Sequence, residues 1–198
     1  MKRIKFLSMA ICLITALAFT SCNDDDSYSG LSKEDIANCY AAVNGSYVGQ
    51  LIYASENKAD AKDVTDTCAI SVEIKTDSVL TLKSFPISQL AYLVTDNDVA
   101  NAIKEQAPHD ISCYYGFTYN NPITFLVNPM TYSFTANYGG KEHKLQIAFY
   151  SNSSYSFGRY DATNRQLSMQ IVEAAIYVDG KETRYLTKGY AFVVYAKK

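Results

Sequence analysis

The chain has no tryptophan and only two histidines. Without Trp it lacks the commonest platform on which proteins stack pyranose rings. His109 and His143 lie in separate segments, and the sequence holds no zinc-protease helix, no Gly-x-Ser-x-Gly elbow and no phosphate-binding glycine loop. General acid–base or nucleophilic chemistry needs a base within ~3 Å of the proton it moves, and no segment offers such a pair. An enzyme is therefore not the expectation, and no cofactor is implied. His109 and Cys113 stand four residues apart, but Pro108 and the aromatics that follow argue against the helix that would align them on a metal.

Basic charge is scarce too, and three basic residues cluster at the very front. Lys2, Arg3 and Lys5 precede the one long apolar run, Phe6 to Phe19, and no acidic residue occurs before Asp24. That run is about 14 residues, too short to cross a bilayer core of ~30 Å as a helix. A basic start, a short apolar stretch and the small pair Thr20-Ser21 are the pattern of a cleaved secretory signal over residues 1–21. Removing it leaves 15 basic against 20 acidic residues, a net of −5. Nucleic acid and a bare anionic lipid surface both require a basic face, so neither is an expected partner.

Phe19-Thr20-Ser21-Cys22 resembles the lipobox of bacterial lipoproteins, with Phe19 where the family usually carries Leu, Val or Ile. The resemblance implies that Cys22 is acylated and becomes the new N-terminus, and two or more acyl chains anchor durably where one does not. Residues 22–30 continue as an acidic, polar tether without apolar periodicity, Asn23-Asp24-Asp25-Asp26-Ser27-Tyr28-Ser29-Gly30. An acidic run just after the lipidated Cys resembles the surface-export signal of Bacteroidales lipoproteins, which implies an outer-membrane protein facing outward. A plain solvated spacer is the alternative.

Residues 31–198 are long enough for one domain that buries roughly 70% of its unfolded surface. Cys39, Cys68 and Cys113 remain there, an odd count without C-x-x-C spacing. Buried thiols on apolar stripes are expected, with one disulfide plus a free thiol as the alternative. Ser32 and Asp35 form a capping box ahead of Ile36, Cys39, Tyr40 and Val43, so a helix is expected over Ser32–Asn44, stopped by Gly45. From Tyr47 the apolar period becomes two. Strands are expected at Tyr47–Tyr53, Cys68–Ile74 and Leu80–Leu82, with a charged loop at Ser55–Asp63 and a turn at Thr76-Asp77-Ser78. Two short helices are expected next, one behind Pro86 and one behind a Thr95/Asp98 capping box. Beyond His109 all is strand and turn, with hairpin turns at Gly139-Gly140 and Asp179-Gly180. Tyr190–Tyr195 is apolar on both faces and belongs in the middle of a sheet. Leu167, Met169 and Ile171 set one inward phase and Ala174, Ile176 and Val178 the other, so a β-bulge is expected at Val172-Glu173. A functional, buried Glu173 is the competing account of that slip. The fold class is α+β: a mostly antiparallel sheet or sandwich, with an N-terminal helix and two short helices inserted between strands.

The strongest compositional anomaly is 17 tyrosines. Several gather with Asn and Ser, and Tyr114, Tyr115, Tyr119, Asn121, Tyr150 and Tyr155 are the candidate binding face for a glycan or protein partner. Half-exposed sheet tyrosines are the ordinary alternative. Asp60, Asp63 and Asp66, and separately Asp96-Asn97-Asp98, offer oxygens of the kind calcium takes, but neither has EF-hand spacing. The second set also reads as helix N-terminal charge. Asp77-Ser78-Val79 resembles the short motif at which Bacteroidales O-glycosylate exported proteins, which makes Ser78 a candidate modification site.

The signal, lipidated Cys, acidic tether, the helix running into Asn44-Gly45-Ser46-Tyr47-Val48-Gly49 and the segment Phe85-Pro86-Ile87-Ser88-Gln89-Leu90-Ala91 together resemble the small uncharacterised lipoproteins of gut Bacteroidales. That resemblance implies an address and a fold but no chemistry. The functional expectation is a non-enzymatic, surface-exposed binding module held to the membrane by lipid. A structural subunit of an envelope assembly and a glycan or peptidoglycan hydrolase are the alternatives.

Overall fold

The computed structural model of the protein describes residues 30–57 and 62–198. Helix α1 (Lys33–Val43) opens on the expected capping box: Ser32 Oγ accepts from the Asp35 amide at 3.0 Å, and Asp35 Oδ2 accepts from Ser32 Oγ at 2.6 Å. It stops at Asn44, and Gly45 follows at a φ of 128° that a side chain would resist. The strands are β1 (Gly45–Asn57), β2 (Lys62–Ile74), β3 (Val79–Phe85), β4 (His109–Asn120), β5 (Ile123–Pro129), β6 (Tyr132–Tyr138), β7 (Lys141–Phe149), β8 (Phe157–Asp161), β9 (Gln166–Val178), β10 (Lys181–Glu182) and β11 (Tyr190–Lys197). Between β3 and β4 come a 3-10 helix (Ile87–Ala91) and α2 (Asn97–Lys104). Within the segment expected as a charged loop at Ser55–Asp63, the described residues are strand, since β1 runs to Asn57 and β2 starts at Lys62.

The open sheet or sandwich expected from sequence is corrected: eight antiparallel strands, β1, β2, β3, β4, β5, β8, β9 and β11, close into a barrel. The seam is β11, which pairs with β1 from Val48↔Lys197 to Tyr53↔Phe192 and with β9 from Gln166↔Lys197 to Glu173↔Tyr190. Alternation of apolar residues reports that each strand has one buried face, and a closed barrel and an open sheet alternate identically. The inserted helices are also fewer than expected, because the residues behind Pro86 make only a 3-10 turn. The N-cap of α2 is Asp96 rather than Thr95; Asp96 Oδ1 accepts from the Val99 amide at 3.0 Å.

Along the edge opposite β11, β9 is long enough to serve two partners. Its first half pairs with β8 inside the barrel, and its second half pairs with β7, carrying the β6–β7 hairpin away from the barrel wall. Between the halves lies the expected bulge: Phe149 faces Glu173 and Ala148 faces Ala175, which leaves Ala174 as the extra residue.

An eight-stranded barrel is just wide enough for its own side chains, and here Tyr47, Leu51, Val72, Leu80, Phe125, Met169 and Phe192 fill it. Gly158 on β8 makes room for one of them: a Cβ there would lie 2.3 Å from the Phe125 ring. α1 covers one end, with Tyr40 Oη donating to the Lys75 carbonyl at 2.8 Å and Tyr47 Oη donating to the Val43 carbonyl. The 3-10 helix and α2 bury Ile87, Leu90, Val99 and Ile103 at the other end. Tyr132 of β6 reaches α2's end, donating to Gln106 Oε1 at 3.3 Å.

Candidate functional site

The barrel divides the candidate tyrosines. Tyr115 is only 5% exposed, its ring edge-on to Phe117 and Phe125, and its hydroxyl donates to the Thr76 carbonyl at 2.8 Å. It is a core residue and not part of a binding face. Successive strand residues point to opposite faces, so Tyr114 and Tyr115 could never share a surface. Tyr114 takes the outside, 53% exposed, opposite Asn128 of β5.

Asn128 in turn holds the loop between β7 and β8. Its Nδ2 donates to Asn152 Oδ1 at 2.8 Å and its Oδ1 accepts from the Asn152 amide at 2.6 Å. Gln170 Nε2 donates to the Tyr155 carbonyl at 2.9 Å, and the Tyr150 amide donates to the Val172 carbonyl at 2.9 Å. These bonds present Tyr155 (57% exposed) and Tyr150 (37% exposed) together, ring centroids 4.9 Å apart. The Val127 amide donates to the Ser156 carbonyl, so Tyr114, Asn128 and Tyr155 follow one another across the outer wall, with half-buried Leu126 and Phe157 beside them. Tyr119 is exposed but lies toward the far end of β4, past a register shift, and Asn121 is exposed in the turn that follows. The wall therefore joins Tyr114, Tyr150 and Tyr155 and leaves Tyr119 and Asn121 apart.

Of the remaining candidates, Cys22 lies outside the described residues, as do Asp60 and the side chain of Asp63. Ser78 is exposed in the β2–β3 turn. Asp66 is exposed and Asp96 caps α2, and among the described residues no group of three or more His, Cys, Asp or Glu could hold a metal. Cys39, Cys68 and Cys113 are free thiols. Burial pushes the Cys113 thiol up, away from thiolate reactivity. Among the described residues no helix is long and apolar enough to cross a membrane.

Glu173 lies at the expected bulge and is also buried. It adjoins the bulge and is wholly enclosed, 0% exposed, with neither carboxylate oxygen hydrogen-bonded among the described residues. Burial alone raises its pKa well above the ordinary carboxylate value. Such a group stays protonated and neutral where other glutamates are charged. Among the described residues no charged neighbour contributes to that shift.

One recess has no sequence signal behind it. The last β1–β11 pair is Tyr53↔Phe192; beyond it β1 continues with β2 to Asn57 while β11 stays with β9 to Tyr190. Where the two strands part, a cleft of about 190 Å³ opens. Ile52, Tyr53 and Ala54 form one wall, Tyr190, Ala191 and Val193 the other, and Tyr92, Leu93, Lys188 and Gly189 line the rest. Tyr190 Oη bridges the gap by donating to the Ala54 carbonyl. Three chain segments build this cleft, so no local motif could have announced it.

A family model described as a domain of unknown function, DUF4840, matches residues 42–178. No curated protein and no solved structure matches the chain.

Proposed function

For a chain that belongs to the DUF4840 family, we propose the role of a lipid-anchored, surface-facing outer-membrane protein whose barrel is a non-enzymatic module. It holds a protein partner against the outer wall around Tyr114, Tyr150 and Tyr155. The observation that carries this reading is that pinned pair: Tyr150 and Tyr155 stay exposed and in contact although five of the six residues of their loop, Tyr150–Tyr155, are Tyr, Ser or Asn in an exposed setting. Tyr, Ser and Asn are the mixture that antibody paratopes use, large flat faces among adaptable polar groups. The packed barrel supports an external site over an internal one. Full enclosure of Glu173 gives the hydrolase alternative no support from that residue.

Two measurements test the proposal. A photo-crosslinking residue is placed at Tyr155 in living cells, with the exposed Val48 of β1 as a control on another wall. A discrete protein adduct at Tyr155, absent at Val48 and lost on Tyr114→Ala, is expected. Equal adducts at both positions, or none, overturn the wall as a site. For the address, a fatty-acid probe labels the protein and not Cys22→Ala, and protease removes the domain from intact cells. Label on Cys22→Ala refutes the anchor, and protection from protease refutes outward display.

A further inference from the structure

We propose that the cleft between β1 and β11 is a binding site for a small, single-ring aromatic monocarboxylate. Size sets the first limit. A dry cavity of ~150 Å³ accepts benzene, so about 190 Å³ has room for one ring with a short polar appendage. The walls set the second. Ile52, Leu93, Ala191 and Val193 supply aliphatic carbon, and the Tyr92 and Tyr190 rings stand 5.3 Å apart, centroid to centroid. This is a lining for a hydrophobic ring rather than for a ring of hydroxyls.

Charge sets the third limit. Lys188 is the one charged side chain on the lining, and among the described residues no carboxylate lies within 4.0 Å of its ammonium. It follows the latch that closes this end of the barrel, where the Val94–Leu186 bridge and the Thr95 amide to Tyr185 carbonyl bond (2.8 Å) tie the two neighbouring loops together. A cation beside an apolar recess selects an anionic end group over a neutral or cationic one. The cleft adjoins the tyrosine wall, since the Tyr150 ring edge stands 3.3 Å from where a Cβ of Gly189 would lie, but none of the residues that set its three limits belongs to that wall.

Phenylacetate, 2-phenylethanol and 2-phenylethylamine are the probes, since they share a ring and differ in the charge of the appendage. Titrated into the purified, isotope-labelled protein, phenylacetate shifts the backbone amides of Ile52–Ala54, Leu93 and Gly189–Ala191, with a Kd on the order of 1 mM, as a ligand of this size warrants. The alcohol binds several-fold more weakly, and the amine more weakly still. Lys188→Gln lowers phenylacetate affinity roughly fivefold and leaves the alcohol unchanged, the size of effect an exposed ion pair supports. Ala191→Trp, which fills the cleft from its wall, abolishes binding, and Leu93→Trp does the same should the first variant fold poorly. The proposal is overturned if no amide at the cleft moves by about 10 mM phenylacetate, if the amine binds as well as the acid, or if both Trp variants fold and still bind.

Discussion

Replacing Glu173 by leucine should stabilise this protein, and more so as pH rises. The carboxyl is enclosed without a hydrogen bond among the described residues, and burial raises its folded pKa well above the ordinary carboxylate value. At pH below the unfolded value the acid is neutral in both states and contributes no slope. Above it the unfolded chain ionises while the folded chain keeps its proton, so stability falls as pH rises until the folded pKa is passed. Each pH unit inside that window costs about 1.4 kcal/mol. For a domain of this size that is roughly 3–5 °C in Tm per pH unit. Leucine removes the titration and both unmet polar atoms together. Glutamine removes only the titration and leaves an amide unpaired at a cost of about 1–3 kcal/mol.

Asp35, Asp110, Asp161 and Asp179 titrate the other way. Hydrogen bonds hold each below its ordinary value, so their contribution is present above that value and lost as pH falls. They are shared by all variants and cancel in the comparison. Urea unfolding followed by far-UV circular dichroism, which needs no tryptophan, gives the stability of wild type, Glu173→Leu and Glu173→Gln at several pH values from 4 to 8. The gap between leucine variant and wild type should widen through the window, while the gap between the two variants stays level. A leucine–wild-type gap that is constant from pH 4 to 8 would mean that Glu173 is solvated or paired, and the reasoning would fail.

Gly158→Ala places a Cβ against the Phe125 ring at 2.3 Å and should cost about 1–3 kcal/mol by chemical denaturation, with Phe125→Leu restoring part of it in the double variant. Asn128→Ala removes both bonds to Asn152 and should cost about 1–2 kcal/mol. It should also speed amide exchange at Ser151–Ser156 while β4 stays protected. Under native alkylation read by peptide mass, half-buried Cys68 should react well before Cys113, whose thiol burial pushes up. Equal rates would contradict the enclosed interior.

Local chemistry made much of the architecture readable in advance. The Ser32/Asp35 box, Gly45, the Gly139-Gly140 and Asp179-Gly180 turns and the central placement of Tyr190–Tyr195 all depend on residues within a few positions of one another, and each is found where it is expected. The phase slip before Ala174 also announced its bulge, because a period of two records an inserted residue directly. Barrel closure left no such trace. It rests on β11 pairing with β1, whose partners are almost the full domain apart in sequence, and no local pattern separates a closed wall from an open one.

The candidate site divides along the same line. Composition marked the Tyr-, Ser- and Asn-rich segments, and alternation alone could have sent Tyr115 inward and Tyr114 outward. That Asn128 ties Tyr114's neighbourhood to Tyr150 and Tyr155, that Glu173 is wholly enclosed, and that β1 and β11 part to form a cleft were decided by tertiary structure. Sequence by itself determined the elements and the sidedness of each strand, because side-chain periodicity and turn chemistry act over a few residues. Only the folded barrel decided which sides meet, because contacts between distant segments depend on how the chain closes.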